Sequence, residues 1–68
     1  MDMRALVGRN VRQRRTALGM TQEELAEAAG VSQQYVSGLE RGDRNPTILT
    51  LWELSRPLKA TPADLLTP

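Results

Sequence analysis

Apolar residues recur along the chain at spacings of three and four, and no stretch alternates between apolar and polar with the two-residue period of a β-strand. The pattern predicts a first helix from about Met3 to Leu18. Its apolar stripe consists of Val7, Val11 and Leu18. Gly19 follows as a helix end, because glycine readily adopts the left-handed conformation found after the last helical turn. We therefore expect an all-α fold.

Two further helices are predicted on either side of a very short turn. Thr21 and Glu24 form a capping-box pattern, in which each side chain satisfies an unpaired backbone N–H of the other residue, so a second helix begins there. Its narrow buried face consists of Leu25, Ala26 and Ala29. Gly30 ends this helix, and a third helix runs from Ser32 to about Arg41.

The C-terminal part of the chain predicts two more helices. Thr47 caps a fourth helix, whose apolar stripe consists of Ile48, Leu51 and Leu54. Pro57 lacks a backbone donor and its ring clashes with the preceding turn, so this helix should end or kink near Arg56. A short fifth helix begins at Thr61, which is followed by proline at the first helical position and then by Asp64.

The amino-acid composition excludes most catalytic chemistry. The chain contains no cysteine and no histidine, which rules out disulfides, thiolate or imidazole metal sites, cysteine nucleophiles and histidine bases. Its acidic residues are accompanied by neither a metal-ligand cluster nor a glycine-rich phosphate loop, so we expect no enzyme, no metal and no cofactor. No apolar run approaches the roughly 18 residues of a membrane span, which predicts a cytoplasmic protein without a membrane partner. A chain of 68 residues encloses one core, so residues 1–68 are expected to form a single domain.

The charges are unevenly distributed, although the net charge of +1 does not by itself indicate a nucleic-acid partner. Residues 1–20 carry five arginines against Asp2 alone, whereas residues 21–40 carry four glutamates and no basic residue. Solvated helix faces that alternate in sign account for this pattern equally well before any motif is considered.

The outer face of the predicted third helix is rich in amide groups. At about 100° per residue, Val36 and Leu39 point inward. The opposite side carries Gln34, Ser37, Gly38 and Arg41, and Gln33 flanks it. A glutamine amide offers an acceptor beside donors, which matches the N7 and N6 groups of adenine in the major groove of DNA. Glutamine is also common on solvated faces, so the pair indicates DNA binding only in combination with the two capped helices around it.

This arrangement of helices is similar to that of a known family. The lambdoid phage repressor and Cro group, the XRE-like regulators, has a helix-turn-helix that closely resembles TQEELAEAAGVSQQYVSGLERGDRNPT, residues 21–47. The family's first helix is similar to VGRNVRQRR, and its last two helices are similar to ILTLWELSRPLKATPADLL. The resemblance implies a compact five-helix lambda-repressor-like domain that binds a double-stranded DNA operator through its third helix.

The resemblance also suggests roles for individual residues. Base contacts are expected from Gln33, Gln34, Ser37 and Gly38. Phosphate contacts are expected from Gln22, Arg41, Arg44, Asn45, Arg12 and Arg14, with a purely solvated side chain as an equal alternative for the last two. Gly38 departs from the larger side chain of some relatives. Asp43 also departs, because an acid repels the DNA backbone, and it leaves Arg44 as the better phosphate contact.

Arg15 is expected to have a structural role. It falls on the apolar side of the first helix, beside Val11 and Leu18, where an unpaired charge is costly. Glu40 falls on the inward side of the third helix, so a partly buried pair between Arg15 and Glu40 resolves both anomalies. The family resemblance implies the same pair.

A dimer is expected because one helix contacts only a few base pairs of DNA. Two-fold dimers of this architecture place two recognition helices on half-sites of a pseudo-palindromic operator, so we expect a homodimer. The candidate interface residues are Leu49, Trp52, Leu65 and Leu66, with core burial as the alternative for the last three. The favoured function is a transcriptional repressor. A protein-interaction module, antitoxin-like or polymerase-binding, is the alternative that the modest net charge and Asp43 favour.

The family pattern is matched least well after the fourth helix. Where the family has a small residue, then leucine, then glycine, this chain has Pro57, Leu58 and Lys59. A positive φ at residue 59 would therefore make Lys59→Gly a stabilising substitution.

Overall fold

The computed structural model describes residues 2–68, and all regular structure within them is helical, which confirms the predicted all-α fold. The helices are α1 (Met3–Ala17), α2 (Gln22–Ala29), α3 (Gln33–Glu40), α4 (Ile48–Ser55) and α5 (Pro62–Leu65). Within this described part of the chain, no helix has the length and apolar character needed to cross a membrane.

Side-chain oxygens cap the first turn of each of these five helices. The capping residues are Asp2, Thr21, Ser32, Thr47 and Thr61. The predicted capping box at Thr21 is present, because its hydroxyl accepts from the Glu24 N–H and its own N–H donates to the Glu24 carboxylate. Thr61 and Asp64 form a second box, and the hydrogen bond from the Thr61 N–H holds the pKa of Asp64 below its usual range. The caps satisfy N–H groups that a helix start leaves unpaired, so local sequence sets these boundaries.

The turn between α2 and α3 is tight because Gly30 adopts the left-handed conformation, with φ 76° and ψ 28°. The N–H of Val31 then donates to the carbonyl oxygen of Ala26 at 3.0 Å and closes the end of α2. Ala26 and Ala29 are buried on the inner side of α2. Their small side chains let α3 pack closely against it.

The core lies among all five helices. Its fully buried leucine and valine side chains, each 0% exposed, are Val11, Leu25, Val36, Leu39, Leu54 and Leu65. The inner side of α3 packs against α1 and α2, while α5 packs against α1 and α4. α3 is therefore held from behind, and its opposite face lies at the surface of the domain.

Two residues assigned to apolar stripes from the sequence are exposed, and that assignment was wrong. Leu18 is 41% exposed because α1 ends at Ala17, so the cap residue falls outside the stripe that Val11 occupies. Ile48 is 84% exposed because it begins α4 and the first turn of this helix extends past the core. Leu51 is buried one turn later.

The chain leaves α4 through a strained residue. Helix α4 ends at Ser55, with Arg56 as its cap, which confirms the predicted end before Pro57. Lys59 then has a φ of 55°, in the left-handed region, while the N–H of Ala60 donates to the carbonyl oxygen of Ser55 at 2.9 Å. This backbone hydrogen bond and the burial of Leu58 keep the turn in place.

Lys59→Gly is expected to raise the free energy of unfolding by about 1 kcal/mol, because glycine adopts a positive φ without the steric cost that a Cβ carries. Thermal unfolding followed by circular dichroism measures the change. Arg56→Gly is the matched control: its φ of −61° is helical, so glycine there should destabilise the fold. An unchanged or lower melting temperature for Lys59→Gly would contradict the strain at this turn.

Candidate nucleic-acid interface

The outer face of α3 carries the four residues predicted to contact bases. Gln33, Gln34, Ser37 and Gly38 repeat at helical spacing, which puts them along one side of α3. Their accessibility differs, since Gln34 is exposed, Gln33 and Ser37 are half-buried and Gly38 is buried. Gln34 is therefore the most accessible of the four residues and Gly38 the least.

Gln33 is braced by a chain of hydrogen bonds that leads into the domain. Its Nε2 donates to Oε1 of Gln22 at 2.9 Å. Nε2 of Gln22 in turn donates to Oε1 of Glu40 at 3.1 Å. Gln22 is the first residue of α2 and thus connects the start of α3 with the end of the same helix. The side chain of Gln33 is held in place, while that of Gln34 projects into solvent.

The chain of hydrogen bonds ends in an ion pair between α1 and α3. Nε of Arg15 donates to Oε2 of Glu40 at 2.6 Å, and Nη2 donates to Oε1 at 3.0 Å. The two side chains are only 12% and 5% exposed. Nη1 of Arg15 donates to the carbonyl oxygen of Met20 at 2.8 Å, just before α2. The hydrogen bond with Glu40 raises the pKa of Arg15, and desolvation by burial opposes it.

Two arginines cover the C-terminal half of the α3 face. Arg44 lies across Gly38, where a Cβ would be 3.0 Å from its Nε, and its guanidinium is 5.5 Å from the centre of the Tyr35 ring. Arg41 donates from Nη1 to Oγ of Ser37 at 2.7 Å. Because Gly38 has no side chain, the side chain of Arg44 packs directly against this part of α3. Arg41 and Arg44 therefore lie over Ser37 and Gly38 in this arrangement, and direct base contacts from these two residues stay a prediction.

The remaining residues expected to contact phosphate are spread over two places. Arg44 and Asn45 lie exposed on the loop after α3. Arg41, at the end of α3, also pairs with Asp43, with 3.0 Å between its Nε and Oδ2. Arg12 is exposed on α1. Arg14 lies 3.9 Å from Asp64 of α5, so the structure does not bring it to the α3 face.

The candidate interface residues divide between surface and core. Leu49 and Trp52 are 66% and 49% exposed on α4, and together with Ile48 they form what we call the α4 apolar surface. Leu66 is 39% exposed and lines a separate shallow groove with Met3 and Val7. Ile48 was missed from the sequence because its spacing fits the core stripe, and only its place in the first turn of α4 indicates exposure.

Leu65 does not contribute to an interface, which corrects its place among the candidates. Its side chain is fully buried in the core. Its carbonyl oxygen accepts from Nδ2 of the buried Asn10 at 2.9 Å, and the same amide donates to the carbonyl oxygen of Thr67 at 2.8 Å. These bonds hold α5 against α1, so core burial accounts for Leu65.

The chain is similar to known proteins over most of its length. A family model described as Helix-turn-helix, HTH_3, matches residues 11–66. An uncharacterized HTH-type transcriptional regulator of Sinorhizobium fredii, y4dJ, is 53% identical over 68 residues, which cover 100% of this chain and 88% of that protein.

Two solved structures share the arrangement of helices. The restriction-modification controller protein C.AhdI from Aeromonas hydrophila has a TM-score of 0.87 at 37% identity, over 91% of this chain and 94% of its own. SinR, a master regulator for biofilm formation crystallised in complex with DNA, has a TM-score of 0.85 at 37% identity, over 90% and 98%. These matches confirm the predicted five-helix architecture.

Proposed function

The chain belongs to the HTH_3 helix-turn-helix family of transcriptional regulators, and from that membership we propose that it is a repressor that binds a pseudo-palindromic DNA operator as a dimer. The observation that carries the proposal is the outer face of α3, where a braced Gln33 lies beside an exposed Gln34. In the proposed complex this face enters the major groove, and the bound dimer occludes the promoter.

Base recognition is assigned to the two glutamines. Gln33 keeps its Oε1 and one N–H free of the brace, and such a donor and acceptor pair complements the edge of adenine. Gln34 projects next to it and reads a neighbouring base. A side chain already held by hydrogen bonds loses little rotamer freedom when it binds, which favours Gln33 as the main source of sequence preference.

Phosphate contacts position α3 on the duplex. The N-terminus of α2 offers unpaired backbone N–H groups beside Gln22, which favours an anion there. Arg44 and Asn45 lie at the other end of α3 and supply a charge and an amide. These contacts bind DNA of any sequence. They fix the position of α3 along the duplex, so that the two glutamines reach their bases.

Dimerisation is assigned to the α4 apolar surface. A monomer of this size binds DNA through phosphates with a dissociation constant of only about 10⁻⁴–10⁻⁶ M at physiological salt, so a second recognition helix is needed for a tight complex. Exposed large apolar side chains at Ile48, Leu49 and Trp52 offer a self-complementary surface for a second copy.

Selection of bound duplexes from a random pool at moderate salt tests the proposal. We expect a motif of two half-sites about 34–36 Å apart, centre to centre. Gln33→Ala should remove about 1–3 kcal/mol of preference at one base of each half-site, whereas Arg44→Ala should weaken binding to all sequences alike and reduce the salt dependence.

Gln13→Ala, on the exposed side of α1, is the control and should leave both affinity and preference unchanged. A motif that stays the same in Gln33→Ala would contradict base readout by this residue. A single half-site would contradict the dimer. Absence of duplex binding by the unaltered chain even at low salt would favour the protein-interaction alternative.

A further inference from the structure

We propose that Glu40 is a positioning residue for base recognition: its carboxylate fixes the direction of the Gln22 amide and, through it, the direction of the Gln33 amide. The inference rests on the proposed function and adds to it a residue that contacts no DNA. Glu40 would then do more than hold α1 to α3, because the charge of its side chain decides which atoms of Gln33 face the groove.

The first step is the chemistry of the Glu40 carboxylate. An ionised carboxylate only accepts hydrogen bonds, and Oε1 of Glu40 already accepts from Nη2 of Arg15. The atom of the Gln22 amide that lies 3.1 Å from Oε1 must therefore be the nitrogen. Since an amide carries its oxygen on the opposite side, Oε1 of Gln22 faces Gln33 and can only accept.

The second step follows at Gln33. With an acceptor facing it at 2.9 Å, Gln33 must turn its nitrogen toward Gln22. Its oxygen and its second N–H remain for a ligand. Adenine presents one donor and one acceptor in the major groove, whereas guanine presents two acceptors, so this orientation favours adenine over guanine.

The third step is the rigidity of the anchor. Glu40 is 5% exposed and is gripped at both oxygens by Arg15, which is itself tied to the carbonyl oxygen of Met20 before α2. The carboxylate therefore cannot turn away from Gln22. Without it, the Gln22 amide could rotate by about 180°, donate to Gln33 and leave the Gln33 nitrogen with two free donors, a pattern that also suits guanine.

The test replaces the ion pair as a whole. Arg15→Met combined with Glu40→Leu removes the charge without leaving a lone buried partner, and apolar replacements of such pairs are often neutral for stability. Duplexes that differ only in adenine or guanine at the base read by Gln33 are then compared. We expect the adenine-to-guanine preference to fall at least about fivefold, with α-helical content retained.

Two further variants make the result specific. Arg15→Met combined with Glu40→Gln replaces the carboxylate by an amide that can donate or accept and removes the guanidinium that would hold its oxygen in place, so it should relax the preference in the same direction. Asp2→Asn combined with Arg4→Met removes an exposed ion pair outside the network and should keep the preference of the unaltered chain. Without DNA, nuclear magnetic resonance of the Gln22 and Gln33 side-chain amides should report exchange between two orientations only when the carboxylate is lost.

The outcomes separate the inference from the proposed function. If either double variant of Arg15 and Glu40 binds DNA and keeps the full adenine preference, the inference is overturned while base readout by Gln33 stands. If the unaltered chain shows no preference at any base, the proposed function fails. Should the variant with Glu40→Leu not fold, Arg15→Met with Glu40→Gln and its amide spectra decide, and side-chain amides that keep the orientation of the unaltered chain overturn the inference.

Discussion

Arg15→Met alone is expected to lower the free energy of unfolding by about 3–5 kcal/mol, because it leaves the buried Glu40 carboxylate without its charged partner. Glu40 is 5% exposed and accepts two hydrogen bonds from Arg15, so its desolvation is offset mainly by that guanidinium. A domain below about 80 residues rarely has more than ~3–5 kcal/mol from its core, so the variant should be largely unfolded at 37 °C. Urea and thermal unfolding measure the loss.

The double variant Arg15→Met with Glu40→Leu is the control for this prediction. It removes the same guanidinium but leaves no uncompensated charge, so it should recover most of the lost stability. Equal instability of the single and double variants would mean that packing of the arginine stem, rather than the pair, stabilises the junction of α1 and α3.

The features that the sequence predicts well depend on neighbouring residues. The capping boxes at Thr21 and Thr61 and the turn at Gly30 each involve residues within a few positions of one another, so the bounds of the helices follow from local pattern. The positive φ of Lys59 was expected only conditionally, from the resemblance, because the family has glycine at that place.

The features that the sequence does not predict depend on how distant elements meet. Leu65 ends the short α5 and Ile48 begins α4, and only the path of the chain decides that the first is buried and the second exposed. The position of Arg44 over Gly38 depends on the route of the loop between α3 and α4, which spacing within α3 cannot reveal. Part of the candidate site, the C-terminal half of the α3 face, was therefore beyond sequence reasoning.

Gly8→Ala is expected to lower the free energy of unfolding by at least about 2 kcal/mol, although alanine is the better helix former by about 1 kcal/mol. A Cβ at residue 8 would overlap the carbonyl oxygen of Leu39 and lie 3.0 Å from that of Glu40. Both are backbone atoms at the end of α3 and cannot rotate away. α1 would have to move off α3, which would also lengthen the contacts between Arg15 and Glu40. Thermal unfolding of the purified variant measures the loss.

Gly38→Ala is the matched control, because it also places a Cβ on a helical glycine that is buried. The nearest atoms there are Nε and Cγ of Arg44, at 3.0 and 3.3 Å, and they belong to a flexible side chain that can swing aside. Its stability should stay within about 1 kcal/mol of the unaltered chain, since the gain in helix propensity opposes the loss of the Arg44 contact with Tyr35. A Gly8→Ala variant that melts no lower than Gly38→Ala would contradict the close backbone contact between α1 and α3 at Gly8.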